Sequence, residues 1–172
     1  MLGPTHRAFG VAAVTGIYAG IHPWLPPDNF PILGMQLGLM QAGALFGSTL
    51  PDIDQKLGTT HRGITHTIWI VGLLSFFTSR QTNPYLFFLC LGVTLGYFSH
   101  LFGDAFSKAG IAWCYPLQRY EQYAGGAFHV KGFRGPFVPL YHVGDKTWAC
   151  MPIIWWLCAG VGTILIWRYL LL

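Results

Sequence analysis

Charge is what this chain has least of. Only 9% of its 172 residues are Asp, Glu, Lys or Arg, against about 25% in a soluble domain. So few charges cannot coat a water-facing sphere, which argues against disorder, coiled coil, collagen and an ordinary soluble enzyme. The four cysteines, Cys90, Cys114, Cys150 and Cys158, form no C-x-x-C pair. They read as small buried hydrophobes. Ten basic residues outnumber six acidic ones, for a net +4, but no dense basic run exists. That argues against nucleic acid and for membrane orientation and anionic headgroups. What the chain does have is 53% hydrophobic residues and a mean hydropathy of +0.46. The length suits one domain, 1–172, integrated into a membrane.

Five apolar stretches stand out, at 8–21, 32–50, 64–78, 84–106 and 147–172. A spanning helix needs about 20 largely apolar residues. The second, fourth and fifth meet that length, whereas the first and third are short enough to be embedded or re-entrant. Arg7 ahead of an apolar run has the outline of a signal peptide, but no A-x-A site follows and the segment reads as retained. The expected fold is an all-α integral membrane bundle of about five apolar helices. A long basic loop at 107–146, rich in Gly and Pro, has room for a short hairpin.

If all five stretches cross, one side carries Arg7, Lys56, Arg62, Lys108, Arg119, Lys131, Arg134 and Lys146. The other carries only Arg80 and Arg168. The positive-inside tendency makes the first side cytoplasmic.

Most of the His and Asp residues fall on that same side. Pro51-Asp52-Ile53-Asp54 ends an apolar run with two carboxylates, which can hold cations or simply stop a helix. His61-Arg62-Gly63-Ile64-Thr65-His66 follows. Its two histidines can converge if His61 lies in the loop and His66 in a first helical turn that Thr65 or Thr60 caps. Arg62 between them suits an anionic group. His100 and Asp104, four apart, share one helix face inside a segment where ionisable groups are costly. A mutual hydrogen bond would also satisfy that pair. His6 gains weight only from lying on the same side, and His129 and His142 read as solvated loop histidines.

Together these fragments offer up to seven ligands: His6, Asp52, Asp54, His61, His66, His100 and Asp104. Mixed imidazole and carboxylate donors suit zinc, manganese or iron rather than calcium. Seven donors exceed one tetrahedral shell, so two ions, or one ion with orienting carboxylates, both fit. No thiolate belongs to the set, which argues against a structural zinc knuckle.

The order of these fragments resembles the bacterial inner-membrane family of YdjM-like membrane-bound metal-dependent hydrolases. Its pieces are Thr5-His6, Leu50-Pro51-Asp52-Ile53-Asp54, His61-Arg62-Gly63-Ile64-Thr65-His66, and Gly96-Tyr97-Phe98-Ser99-His100 followed by Asp104. Thr67 stands where the family usually has Ser, and Ser107 where it usually has Thr; both keep a hydroxyl. The resemblance covers roughly 5–116 and leaves 117–172 unmatched. It is grouped with helical zinc-dependent phospholipases C and P1-type nucleases, and so implies phosphoester hydrolysis.

On that implication, two divalent ions (zinc, or manganese) would be held by the seven residues above, with Asp54 alternatively the base that takes a water proton. Arg62, Lys108, Lys131 and Arg134 would hold an anionic phosphate substrate. At the cytoplasmic boundary of the inner membrane, that substrate would be a phospholipid or another lipid-linked phosphate. Two rival classes remain. A metal-ion transporter would spread ligands to the bilayer midplane and both faces. A non-catalytic protein would use the metal to pin helices in a closed site.

Overall fold

The computed structural model describes residues 3–21, 30–53, 64–107, 110–117, 120–122, 128–130 and 151–171. Its helices are α1 (Gly3–Ile21), α2 (Phe30–Gly47), α3 (Ile68–Ser79), α4 (Pro84–Ala105) and α5 (Met151–Leu171). A 3-10 turn at Ile64–His66 precedes α3. The room for a hairpin in the long loop is used: β1 (Tyr120–Gln122) pairs antiparallel with β2 (Phe128–Val130), Glu121 opposite His129. The start of that loop is less loop-like than expected, because Gly110, Ile111 and Ala112 are buried. Trp113 O accepts from Ile68 N at 2.9 Å, which ties this segment to the start of α3.

The buried positions of α1, Ala8, Val11, Val14, Thr15 and Tyr18, recur at helical spacing. Of these, Val14 and Tyr18 meet Leu37, Met40 and Ala44 of α2, Phe88 of α4 and Ile166 of α5 in one core. A polar clasp crosses it: Gln41 Nε2 donates to Thr15 Oγ1 at 3.0 Å and to Thr163 Oγ1 at 2.9 Å, joining α2 to α1 and α5.

The closest helix pair is α2 with α4. Gly43 and Gly47 face Gly92 and Gly96, and a Cβ at any of them would run into backbone of the other helix. At Gly96 it would sit 2.5 Å from Ala44 O. Small residues at four-residue spacing let two backbones approach in this way. The approach brings the C-terminal ends of α2 and α4 into register with the region of Ser48 and His100.

The apolar stretch read at 32–50 is not helical throughout. α2 stops at Gly47, after which Leu50 N bonds Gly47 O. Ser48 and Thr49 turn their hydroxyls onto the carbonyls of Leu45 and Phe46. That competition with the backbone ladder ends the helix. α4 starts cleanly, Asn83 Oδ1 accepting from Tyr85 N and Leu86 N with Pro84 in the first turn. Thr67, not Thr65, occupies the N-cap position of α3, and its hydroxyl donates to Ile64 O; Thr60 lies outside the described residues.

Among the described residues, only α4 is both long and apolar enough to cross a membrane. Three stretches had the length in the sequence. The helical parts Ile32–Gly47 and Pro152–Ile166 are shorter than those stretches, and Ile68–Ser79 is shorter still. The outer faces of α3 and α5 are nonetheless apolar: Trp69, Leu73, Phe76 and Phe77 on one, Ile153, Leu157, Ile164 and Leu165 on the other, are exposed.

Candidate metal centre

Four segments end together at one end of the bundle. The first turns of α1 bring His6, the turn after α2 brings Asp52, the 3-10 turn brings His66, and the last turns of α4 bring His100 and Asp104. Antiparallel neighbours force this meeting, since α1 and α3 start where α2 and α4 finish. His6, His66, His100 and Asp104 are buried, and Asp52 is partly exposed.

The donor atoms face one another. His66 Nε2 lies 3.9 Å from Asp52 Oδ1 and 3.8 Å from Asp104 Oδ2. His100 Nε2 lies 3.5 Å from Asp52 Oδ1 and 3.7 Å from Asp104 Oδ2. Two imidazoles thus alternate with two carboxylates round a common centre. The second oxygen of Asp104 turns to His6 Nε2 at 3.3 Å, and the His6 ring stacks on His100 at 3.7 Å between centroids. His100 and Asp104 are therefore not satisfied by a mutual hydrogen bond.

Two buried nitrogens, His6 Nδ1 and His100 Nε2, have no hydrogen-bond partner among the described residues. Such groups are costly to bury, and a cation is what a converging imidazole lone pair and carboxylate serve. A tetrahedral ion with bonds near 2.0–2.1 Å needs donors roughly 3.3 Å apart, so the observed spacings need contract by only a few tenths of an ångström. The His6–His100–Asp104 and Asp52–His66–His100 groups both have ligand atoms within 4.8 Å of one another.

Outer contacts set the tautomer. His100 Nδ1 lies 2.7 Å from Ser48 O, an acceptor only, so Nδ1 carries the proton and Nε2 presents its lone pair inward. Thr65 Oγ1 stands 3.1 Å from His66 Nδ1. Burial raises the Asp52 carboxyl pKa, but the proximity of His100, whose Nε2 lies 3.5 Å away, together with His6, outweighs it and holds the group below its ordinary value.

Of the seven expected ligands, the structure brings five together: His6, Asp52, His66, His100 and Asp104. Asp54 and His61 lie outside the described residues, as do Arg62, Lys108, Lys131, Arg134 and His142. His66 sits in the 3-10 turn before α3 rather than in its first helical turn. The sequence reading assigned no role to Tyr97 or to the Ser48 carbonyl, and it passed over the Gly43/Gly47 and Gly92/Gly96 pairs. Their four-residue spacing inside apolar runs is the signal that would have found the helix contact.

A five-helix bundle carrying a buried His/Asp cluster at one end, with one short hairpin beside it in sequence, is the class of protein the described residues define. The YdjM inner membrane protein family model matches residues 1–171, and the chain belongs to that family of the inner membrane. The match thus extends over the C-terminal third, where the sequence alone offered no likeness. No curated protein and no solved structure matches the chain.

Proposed function

We propose that this protein is a membrane-bound metal-dependent hydrolase of phosphoester type. Its substrate is a phospholipid or another lipid-linked phosphate at the cytoplasmic face of the inner membrane. The observation that carries the reading is the convergence of three imidazoles and two carboxylates from four segments, the His6–His100–Asp104 and Asp52–His66–His100 groups each having ligand atoms within 4.8 Å of one another. His66, His100, Asp52 and Asp104 would hold a divalent ion, zinc or manganese, and His6 would hold a second or brace Asp104. A bound ion supplies a Lewis acid and lowers the pKa of its water toward neutrality. Asp54 would take the water proton. Arg62, Lys108, Lys131 and Arg134 would bind the phosphate.

The depth of the centre supports action at a membrane boundary. At 1.5 Å per residue, α4 carries His100 about 26 Å and Asp104 about 32 Å from the Asn83 cap, close to the ~30 Å thickness of a hydrocarbon core. With the Arg80–Asn83 turn at one face, the centre would lie at the other, the side to which the sequence count assigns eight of the ten basic residues if all five stretches cross. The exposed apolar faces of α3 and α5 suit lipid contact in a multi-pass arrangement. A transporter would want its ligands near the midplane instead. A metal that only pins helices would want a closed shell, whereas the Asp52 side chain is 28% exposed.

The test is zinc- or manganese-loaded protein in detergent with phospholipid and lipid-linked phosphate substrates. Release of phosphate or headgroup, abolished in His66→Ala, is expected. Metal-loaded protein inert on every lipid phosphoester would overturn the phosphoesterase reading.

A further inference from the structure

His66 is carried on a short 3-10 turn rather than on an α-helix, so something must aim it. Two tethers flank it. On its C-terminal side, Ile68 N donates to Trp113 O at 2.9 Å. On its N-terminal side, the buried Tyr97 donates its phenol O–H to the Thr65 carbonyl. That carbonyl belongs to the same rigid peptide plane as the His66 nitrogen. Holding it therefore fixes the direction in which His66 leaves the backbone. Tyr97 lies three residues before His100 on α4, so one helix face supplies a ligand and the brace of another. Thr65 completes the chain: its hydroxyl oxygen stands 3.1 Å from His66 Nδ1. With Nε2 given to a bound ion, Nδ1 would carry the proton and donate it to Thr65 Oγ1.

We propose that Tyr97 and Thr65 are positioning residues of the metal centre. Tyr97 fixes the Thr65–His66 peptide, and Thr65 fixes the ring that Nε2 belongs to. The inference rests on the metal reading above and asks a finer question of the same site. Partners that orient a histidine ligand typically change metal affinity by about 10- to 100-fold when removed. The Tyr97 ring also packs with Leu101, Ala105 and Ile111, so Tyr97→Phe removes the oxygen and keeps the packing.

The experiment compares the full chain in detergent with Tyr97→Phe, Thr65→Val and Thr65→Ser. Zinc affinity is read by chelator competition, the visible spectrum of the cobalt-loaded protein reports ligand geometry, and far-UV circular dichroism reports folding. Tyr97→Phe and Thr65→Val are expected to keep their helix content, bind zinc about 10- to 100-fold more weakly and shift the cobalt bands. Thr65→Ser, which keeps the hydroxyl, is expected to behave as the unaltered chain. Unaltered affinity and spectrum in Tyr97→Phe or in Thr65→Val would overturn the proposal. Should Tyr97→Phe fail to fold, the Thr65→Val and Thr65→Ser pair decides. Failure of the unaltered chain itself to bind zinc or cobalt would instead overturn the metal reading, and this inference with it.

Discussion

His100 Nδ1 stands 2.7 Å from the backbone oxygen of Ser48, a residue 52 positions earlier in the chain. This contact links the tightest helix pair of the bundle to the tautomer of a buried ligand. The carbonyl is free for His100 because α2 stops at Gly47. It is within reach because four glycines let α2 and α4 close up.

The ligands themselves are expected to be indispensable for metal. His100→Ala removes the imidazole that both candidate groups share. It should weaken zinc binding by more than the roughly 100-fold that losing an outer partner costs. Equilibrium dialysis against zinc checks it. Affinity within tenfold of the unaltered chain would remove His100 from the centre.

Helix approach should control stability and metal together. Gly96→Ala puts a Cβ 2.5 Å from Ala44 O. Overpacking of that kind costs about 1–3 kcal/mol, and separating the helices moves Ser48 away from His100. Gly16→Ala meets nothing within 4 Å, and in a helix it should stabilise by about 0.4–1 kcal/mol. Thermal unfolding in detergent separates the two, and equal shifts would contradict the close-approach account.

The polar clasp should behave differently. Gln41→Leu removes both donations, to Thr15 and Thr163, and should cost about 1–2 kcal/mol, as interhelical hydrogen bonds in membranes do. Zinc binding should survive, because no ligand lies in the clasp. Loss of metal without loss of fold would show that α5 shapes the centre.

Acid should release metal through the histidines first. Ligation needs neutral imidazoles, whose ordinary pKa is about 6.5. Burial lowers the His6 pKa to about 4, so protons displace an ion from that ligand only well below the ordinary imidazole value. Asp52 is held below the usual carboxylate range, so it remains ionised across that window and is lost as a ligand only at lower pH. Zinc titrations from neutral pH down through the His6 value of about 4 check this, and an affinity that does not fall anywhere in that range would count against imidazole ligation.

The sequence made some of this legible and hid the rest for physical reasons. The spacing of His100 and Asp104 on one helix is a local property, and it survives in the structure. That Asp52 and His66 join them was readable only as a shared membrane side, since distances between segments depend on packing. His6 looked like a stray terminal polar residue, and only its burial against His100 reveals its place. The end of α2 was invisible to hydropathy: apolar residues continue to Leu50, but Ser48 and Thr49 hydroxyls take the helix carbonyls. Tyr97 read as one more aromatic in an apolar run, because a side-chain bond to a carbonyl 32 residues away leaves no local pattern.

Elemental mass spectrometry on the detergent-purified chain, beside His66→Ala and Asp104→Ala, tests the central claim most directly. Zinc or manganese bound to the unaltered chain, and lost from both variants while helical circular dichroism persists, is the expected result. A chain that holds no metal even after reconstitution would contradict it, leaving the His–Asp cluster a set of structural polar contacts.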